Sequence, residues 1–417
     1  MNNKQKNIQK NQAGFSHVIL PFVLLVIVAA VTVFAYTRIN KATSNVLDPT
    51  VQRARDEADL KSKLSSGGSI EDYKIGCSGS GQVMMKHTPM DTSDLSLIQP
   101  VGMLAAAHVT PIDHLYFYSK GNTKRDANPV YAMADGFIVG DDIEERGQKL
   151  KDGKLDKGAI QIIVQHNCST FSYYDLMTSL DPGIAAKLEK GEKRVAIKAG
   201  QVIGRVGGQS LDTAIFNADM KLTGFINPSS YSGEPWKIHV DDFFKYFSGK
   251  DKSDMLALNP RKIEPYGGKI DFDVTNKLQG NWFQIGTNGY SGPEDSERIN
   301  IGDVGYFSGH FSIAPDVVTP SKINISFGNY EGKPQQFTAL SSSPDPANVG
   351  IDSGLVKYEL TPYKQPTLSH SVQDKSVKGT VLLQVTDGGK QIKMETFPGK
   401  LATQATEFTS AAKTYER

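Results

Sequence analysis

Between Asn128 and Asn217 the chain is a succession of short β-rich runs, each closed by a turn, and this stretch constrains the fold more than any other. NPVYAMADGFIVG places Val130, Ala132, Ala134 and Phe137 ahead of a glycine, and AIQIIVQH alternates Ile160, Ile162 and Val164 with Gln161, Ile163 and Gln165. GQVIGRVGG is bracketed by Gly200 and by the pair Gly207-Gly208, which supply backbone conformations that other residues avoid. Strands this short, spaced by turns, specify a compact β-sandwich or barrel and exclude a parallel α/β sheet.

The order of these runs resembles the β-domain of the lysostaphin-type zinc endopeptidases, which cut peptidoglycan cross-bridges. The matching pieces are Pro129-Val130-Tyr131-Ala132 with Asp135-Gly136, then Val164-Gln165-His166, Tyr173-Tyr174-Asp175-Leu176, Gly200-Gln201-Val202-Ile203-Gly204 and Ser210-Leu211-Asp212-Thr213. Order and spacing agree across the domain, but the chemistry does not. The histidine of the family's Tyr-x-His-Leu strand is Asp175 here, and the two histidines of its His-x-His strand are Ser210 and Asp212. The resemblance implies that both catalytic histidines are replaced and that one zinc ligand has become Asp212. His166 matches a strand-end histidine that the family often carries but does not use as a ligand.

The strand before the Pro-Val-x-Ala pair carries a His-x-x-x-Asp zinc motif in that family. Here Asp113 has His108 five residues before it and His114 directly after it, one residue away from the motif's spacing. The candidate metal set is therefore His108, His114, Asp113 and Asp212. Such an oxygen-rich set has less preference for zinc than a histidine-rich one. If residues 108–114 run as a strand, His108, Ile112 and His114 share one face and Asp113 lies on the other, but Pro111 breaks that regularity. The bland alternative is a polar turn capped by Asp113, with histidines that hydrogen-bond in the core. No cofactor is expected, with zinc or another divalent cation as the alternative. An anionic Asp175 would repel an oxyanion where a histidine would stabilise it, so the reading leans against catalysis.

Residues 18–36 form a run of nineteen without a charge, long enough at about 1.5 Å per residue to span a hydrocarbon core of about 30 Å. Lys4, Lys6 and Lys10 on its N-terminal side favour that side remaining cytoplasmic. The expectation is an uncleaved single-pass anchor. Its rivals are a cleaved signal peptide, for which Val-Phe-Ala-Tyr-Thr-Arg is a poor cleavage site, and a prepilin leader at Gly14-Phe15-Ser16. Residues 1–17 then form a basic cytoplasmic N-terminus, 37–70 a helical stalk, and the bulk of the chain lies outside the cytoplasm. Cys77 and Cys168 are the only cysteines; they form a disulfide there or remain two buried thiols, and spacing alone does not decide.

The remaining boundaries are an endopeptidase-like β domain over 71–230, a connector over 231–265, a second β domain over 266–403 and a polar tail over 404–417. In the second domain, VLLQVTDGGKQIKMETF marks a hairpin turning at Gly388-Gly389. Leu278-Gln279-Gly280-Asn281-Trp282-Phe283 resembles the Gly-x-Trp entrance of lipocalin-like barrels, and the strand count suits an antiparallel barrel or sandwich. The fold class expected is thus mainly β: a transmembrane helix, a sandwich, then a barrel or second sandwich. With 46 Lys plus Arg against 45 Asp plus Glu, the chain lacks the basic surplus of a dedicated nucleic-acid binder.

Three functions follow from these residues. The first is a membrane-anchored, non-catalytic binding or scaffolding module whose partners are the membrane and a cell-wall or envelope polymer. The second is an active metal hydrolase with an altered ligand set, Asp212 as ligand and Asp175 as base. The third is a ligand-binding β-barrel.

Overall fold

The structure is a computed structural model and describes residues 70–105, 108–121, 124–139, 145–149, 155–293, 305–369 and 374–417. The anchor expected at 18–36 and nearly all of the stalk lie outside those residues. Among the described residues no helix is long and apolar enough to cross a membrane. The described part is mainly β, with two α-helices, α1 (Pro182–Glu189) and α2 (Gly249–Leu258).

The first half contributes β1 (Leu95–Gln99), β2 (Leu115–Ser119), β3 (Asn128–Tyr131), β4 (Gly136–Val139), β5 (Glu145–Lys149), β6 (Leu155–Gln165), β7 (Thr170–Met177), β8 (Ser179–Leu180), β9 (Arg194–Ile197), β10 (Val202–Val206) and β11 (Leu211–Asn217). One sheet runs β1-β2-β11-β7-β6-β4-β9, with β5 paired to β6, and a smaller sheet runs β3-β10-β8. Apolar side chains of both sheets, among them Val130, Ile203 and Val206 on one and Ile138, Val164 and Tyr174 on the other, enter a single core. Strand β5 and the start of β6 pair as an antiparallel hairpin after β4.

Strand β7 is buried along its whole length, so its two faces serve different neighbours. Period-two alternation puts Tyr173 and Asp175 on one face and Ser172 and Tyr174 on the other. Asp175 lies opposite Asp212 on β11, and Asp212 lies opposite Tyr116 on β2. The register therefore gathers Tyr116, Asp212, Asp175 and Tyr173 on one face of the large sheet.

Residues 108–114 are not a strand, in keeping with Pro111 in their midst, so the two-face placement that a strand would impose on Asp113 and His114 does not apply. The segment folds back on itself: Gly102 N–H donates to Ile112 O and Ile112 N–H to Met103 O. Gly102 has a φ of 91°, and a Cβ there would sit 2.1 Å from Lys269 O. Only glycine permits that approach, and Val101 bridges to Gly268 beside it. The irregular loop carries Asp113 and His114 onto the same side.

The connector over 231–265 holds two short 3₁₀ turns, Lys237–His239 and Phe243–Tyr246, and then α2. Phe243 and Phe244, which share helical spacing with Phe247 in the sequence, lie in the turn Phe243–Tyr246. The second half is a closed antiparallel barrel: β12 (Gly280–Gln284), β13 (His310–Pro315), β14 (Ile323–Tyr330), β15 (Lys333–Ala339), β16 (Val356–Pro362), β17 (Gly379–Thr386), β18 (Gln391–Pro398) and β19 (Lys413–Glu416). Its interior is filled from all eight strands, including Trp282, Phe311, Phe327, Phe337, Tyr358, Leu383, Ile392 and Tyr415.

The expected polar tail over 404–417 is corrected here, because β19 closes the barrel by pairing with both β18 and β12. Tyr415 turns inward while Glu416, next to it on the opposite face, is exposed. Arg417 fastens the closure: its guanidinium donates to the carbonyls of Val274, Lys277 and Gln279 and lies 4.0 Å over the Trp282 ring. The barrel also joins the first core. Phe283, Tyr290 and Phe307 pack with the aromatic residues of that core, and Asn281 donates to the Tyr231 hydroxyl.

Candidate functional site

The face gathered by β2, β11 and β7 receives side chains from two irregular segments. The loop before β2 brings Asp113 and His114. The 3₁₀ turn Lys237–His239 brings Lys237, with Glu234 just ahead of it. That turn is held along β11: Val240 bridges to Phe216, Asp241 N–H donates to Ile215 O, and Trp236 packs on Phe216. Lys237 is thereby fixed with its side chain directed at the loop carboxylate.

His114 lies between two carboxylates. Its Nδ1–H donates to Asp113 Oδ1 at 2.9 Å, and its Nε2 faces Asp212 Oδ2 at 3.4 Å and the Tyr116 hydroxyl at 3.3 Å. Burial alone would favour the neutral ring. The hydrogen bonds to Asp113 and Asp212 and their charges outweigh it, and the pKa is pushed up to about 10. His114 is therefore an imidazolium at neutral pH.

The other family positions are equally enclosed. Asp175 is fully buried and accepts from the Tyr173 hydroxyl at 2.8 Å and from Leu176 N–H at 2.7 Å. Leu176 holds a left-handed φ of 65°, a strained conformation for this residue, and its N–H is thereby turned onto the carboxylate. Ser210 Oγ donates to Asp212 Oδ1 at 2.9 Å, and both residues are buried. Lys237 Nζ lies 3.6 Å from Asp113 Oδ2 and 3.5 Å from Glu234 Oε2. It also lies 3.5 Å from the Tyr290 hydroxyl and 4.6 Å from the centre of that ring.

The structure thus brings Asp113, His114 and Asp212 together and sets Asp175 and Ser210 beside them. The His108 ring stands edge-on to His114, 5.6 Å between centroids. Zinc in such a domain requires three ligating side chains and one open position. An ammonium already lies among the carboxylates, 3.6 Å from Asp113 Oδ2 and 3.5 Å from Glu234 Oε2. Among the described residues no group of three or more His, Cys, Asp or Glu side chains is arranged to hold a metal ion. The residues, as placed, do not fit zinc.

Lys237, Glu234 and Tyr290 do not stand out in the sequence. The one signal is a lysine next to Trp236 at the start of the aromatic-rich stretch that ends at Phe247. Away from this cluster, Cys77 and Cys168 are joined in a disulfide, 91 residues apart in sequence. His166 donates through Nδ1 to Asp135 O and accepts at Nε2 from Ser172 Oγ, both at 2.8 Å, and burial lowers its pKa.

No family model matches the chain, and no curated protein matches it. Among solved structures it is similar to a zinc-containing peptidase from Vibrio cholerae, at 16% identity and a TM-score of 0.23 over 33% of this chain and 37% of that one. The chain thus spans little more than a third of that peptidase. It is also similar to lysostaphin, at 10% identity and a TM-score of 0.23 over 79% of this chain and 96% of that one. At this level neither likeness bears on activity or substrate.

Proposed function

We propose that the β domain over 71–230 is non-catalytic and that the protein acts as a membrane-anchored binding or scaffolding module at the cell envelope. One observation carries the reading. Asp175, the only side chain offered as a base for an altered hydrolase, is fully buried and its carboxylate is already hydrogen-bonded by Tyr173 and Leu176. A general base must reach the proton it removes, directly or through one water. The Cys77–Cys168 disulfide suits an oxidising compartment outside the cytoplasm, as the anchor expected at 18–36 requires. The partner in this reading is a cell-wall or envelope polymer.

The test uses the full chain in detergent with purified peptidoglycan, with and without added zinc. The polymer should carry the protein down on sedimentation and release no soluble peptides. Release that an Asp175→Asn variant abolishes would overturn the non-catalytic reading. Failure to sediment would remove the wall polymer as partner.

A second reading, the ligand-binding barrel, is favoured by one atom. The Tyr358 hydroxyl is enclosed in the barrel interior without a hydrogen-bond partner among the described residues. Its surroundings are otherwise packed with side chains, so a guest would have to displace them. Extraction of the purified protein with organic solvent, followed by mass spectrometry, distinguishes the two: one stoichiometric apolar compound favours the barrel reading.

A further inference from the structure

The mismatch between the cluster and a metal has a specific residue behind it. Lys237 is 1% exposed, which lysine tolerates only when it is paired. Its two carboxylate contacts, at 3.5 and 3.6 Å, are longer than charge-assisted hydrogen bonds of about 2.8 Å. The ammonium is therefore held between Asp113 and Glu234 by their combined field and by the face of Tyr290, not by one tight bond. Oxygen donors converging on one positive charge are also what a hard or borderline divalent cation requires.

We propose that Lys237 is a built-in replacement for a divalent cation. Its ammonium neutralises Asp113 and Glu234 from within the chain, excludes a dication by occupying the space between them, and, when removed, leaves a site that takes a divalent transition metal. The inference rests on the non-catalytic reading and extends it, since it names what closed the site. The geometry explains why a chain with Asp113, His114 and Asp212 within contact of one another does not need a metal to keep those carboxylates buried. The His114 ring lies between Asp113 and Asp212, and the ammonium lies between Asp113 and Glu234, so Asp113 is shared by both contacts.

The experiment compares the full chain with Lys237→Met, which keeps the apolar stem but removes the terminal ammonium and so frees its position between the carboxylates, Lys237→Arg, which keeps the charge, and the double variant Lys237→Met/Asp113→Asn. Each is loaded with zinc, dialysed and assayed for metal, then titrated with cobalt to read its visible absorption. The parent and Lys237→Arg should retain no more zinc than the double variant. Lys237→Met should retain close to one equivalent and show cobalt absorption, and the added Asp113→Asn change should weaken binding by roughly tenfold or more. If Lys237→Met unfolds without metal, zinc should restore its folded circular dichroism. A folded Lys237→Met that binds no more zinc than the parent overturns the proposal. So does a Lys237→Met that stays unfolded in zinc, or a parent that binds one equivalent through Asp113. Peptide release by a metal-free parent would instead overturn the non-catalytic reading and leave the role of Lys237 standing.

Discussion

Replacing Asp212 by asparagine removes one of the two charges that hold the His114 imidazolium, and its cost should depend on pH in a specific way. A histidine whose pKa rises from 6.5 to about 10 on folding stabilises the folded state fully below pH 6.5. The contribution then fades as pH climbs towards 10, where the ring deprotonates in the folded protein as well. At pH 7 it is on the order of 4 kcal/mol, since each tenfold gain in proton affinity corresponds to about 1.4 kcal/mol. Asp113 and Asp212 share that sum, so Asp212→Asn should cost about 2 kcal/mol from lost charge. Leaving a buried cation with one partner adds to this, which puts the total near the roughly 3–5 kcal/mol of broken buried pairs. Urea unfolding of parent and variant at pH 6, 8 and 10 measures the difference, and nitrogen-15 histidine spectra read the ring directly. The gap should be widest at pH 6 and shrink to below about 1 kcal/mol at pH 10. A gap that does not change with pH, or a His114 ring that titrates below 7 in the folded parent, would refute the argument that the cluster is an internal ion network.

Two further expectations follow from other parts of the molecule. Cys77→Ser/Cys168→Ser opens a loop of 91 residues, and chain entropy puts the loss at about 4–5 kcal/mol, read as a lower unfolding midpoint in the non-reduced protein; a loss below about 1 kcal/mol would show that the unfolded chain is already constrained there. His166, held neutral by burial, should make the protein less stable as pH falls through 6.5, because the unfolded ring takes up a proton that the folded ring resists; the slope contributed is at most about 1.4 kcal/mol per pH unit, and a His166→Asn variant should flatten it.

The strands of the first half were legible because their alternation and their turn residues agree. Val202–Val206 between glycines, and Leu211–Asn217 after Gly207-Gly208, lie where those signals place them. The hairpin at Gly388-Gly389 was legible for the same reason: Asp387, Gly388 and Gly389 all adopt positive φ, which that sequence is suited to supply. Strand β19 was not legible. Lys413-Thr414-Tyr415-Glu416 has one apolar residue, and only the barrel's open edge, made by distant strands, turns it into a strand. The site divides in the same way. Asp175 and Asp212 could be picked out because the runs that carry them, Tyr173–Leu176 and Ser210–Thr213, resemble the endopeptidase pattern position by position. Lys237 and Glu234 could not, because a 3₁₀ turn has no periodicity long enough to reveal which side chain faces the sheet.

That division also shows how the two halves of the described chain depend on each other. Tyr290 lies over Lys237, and His310 and Phe283 pack against Tyr290, so residues of the barrel half cover a cluster whose carboxylates belong to the sandwich half. Without that cover Lys237 would meet water, and its attraction to Asp113 and Glu234 would fall with the rise in effective dielectric. The ring of Tyr290 acts in two ways here: it excludes solvent, and its face is itself attractive to the ammonium. The internal cation is therefore a property of the joined halves. A sequence comparison confined to the strands from Asn128 to Asn217 sees the altered Asp175, Ser210 and Asp212, but not the lysine and tyrosine that make those substitutions compatible with a buried site.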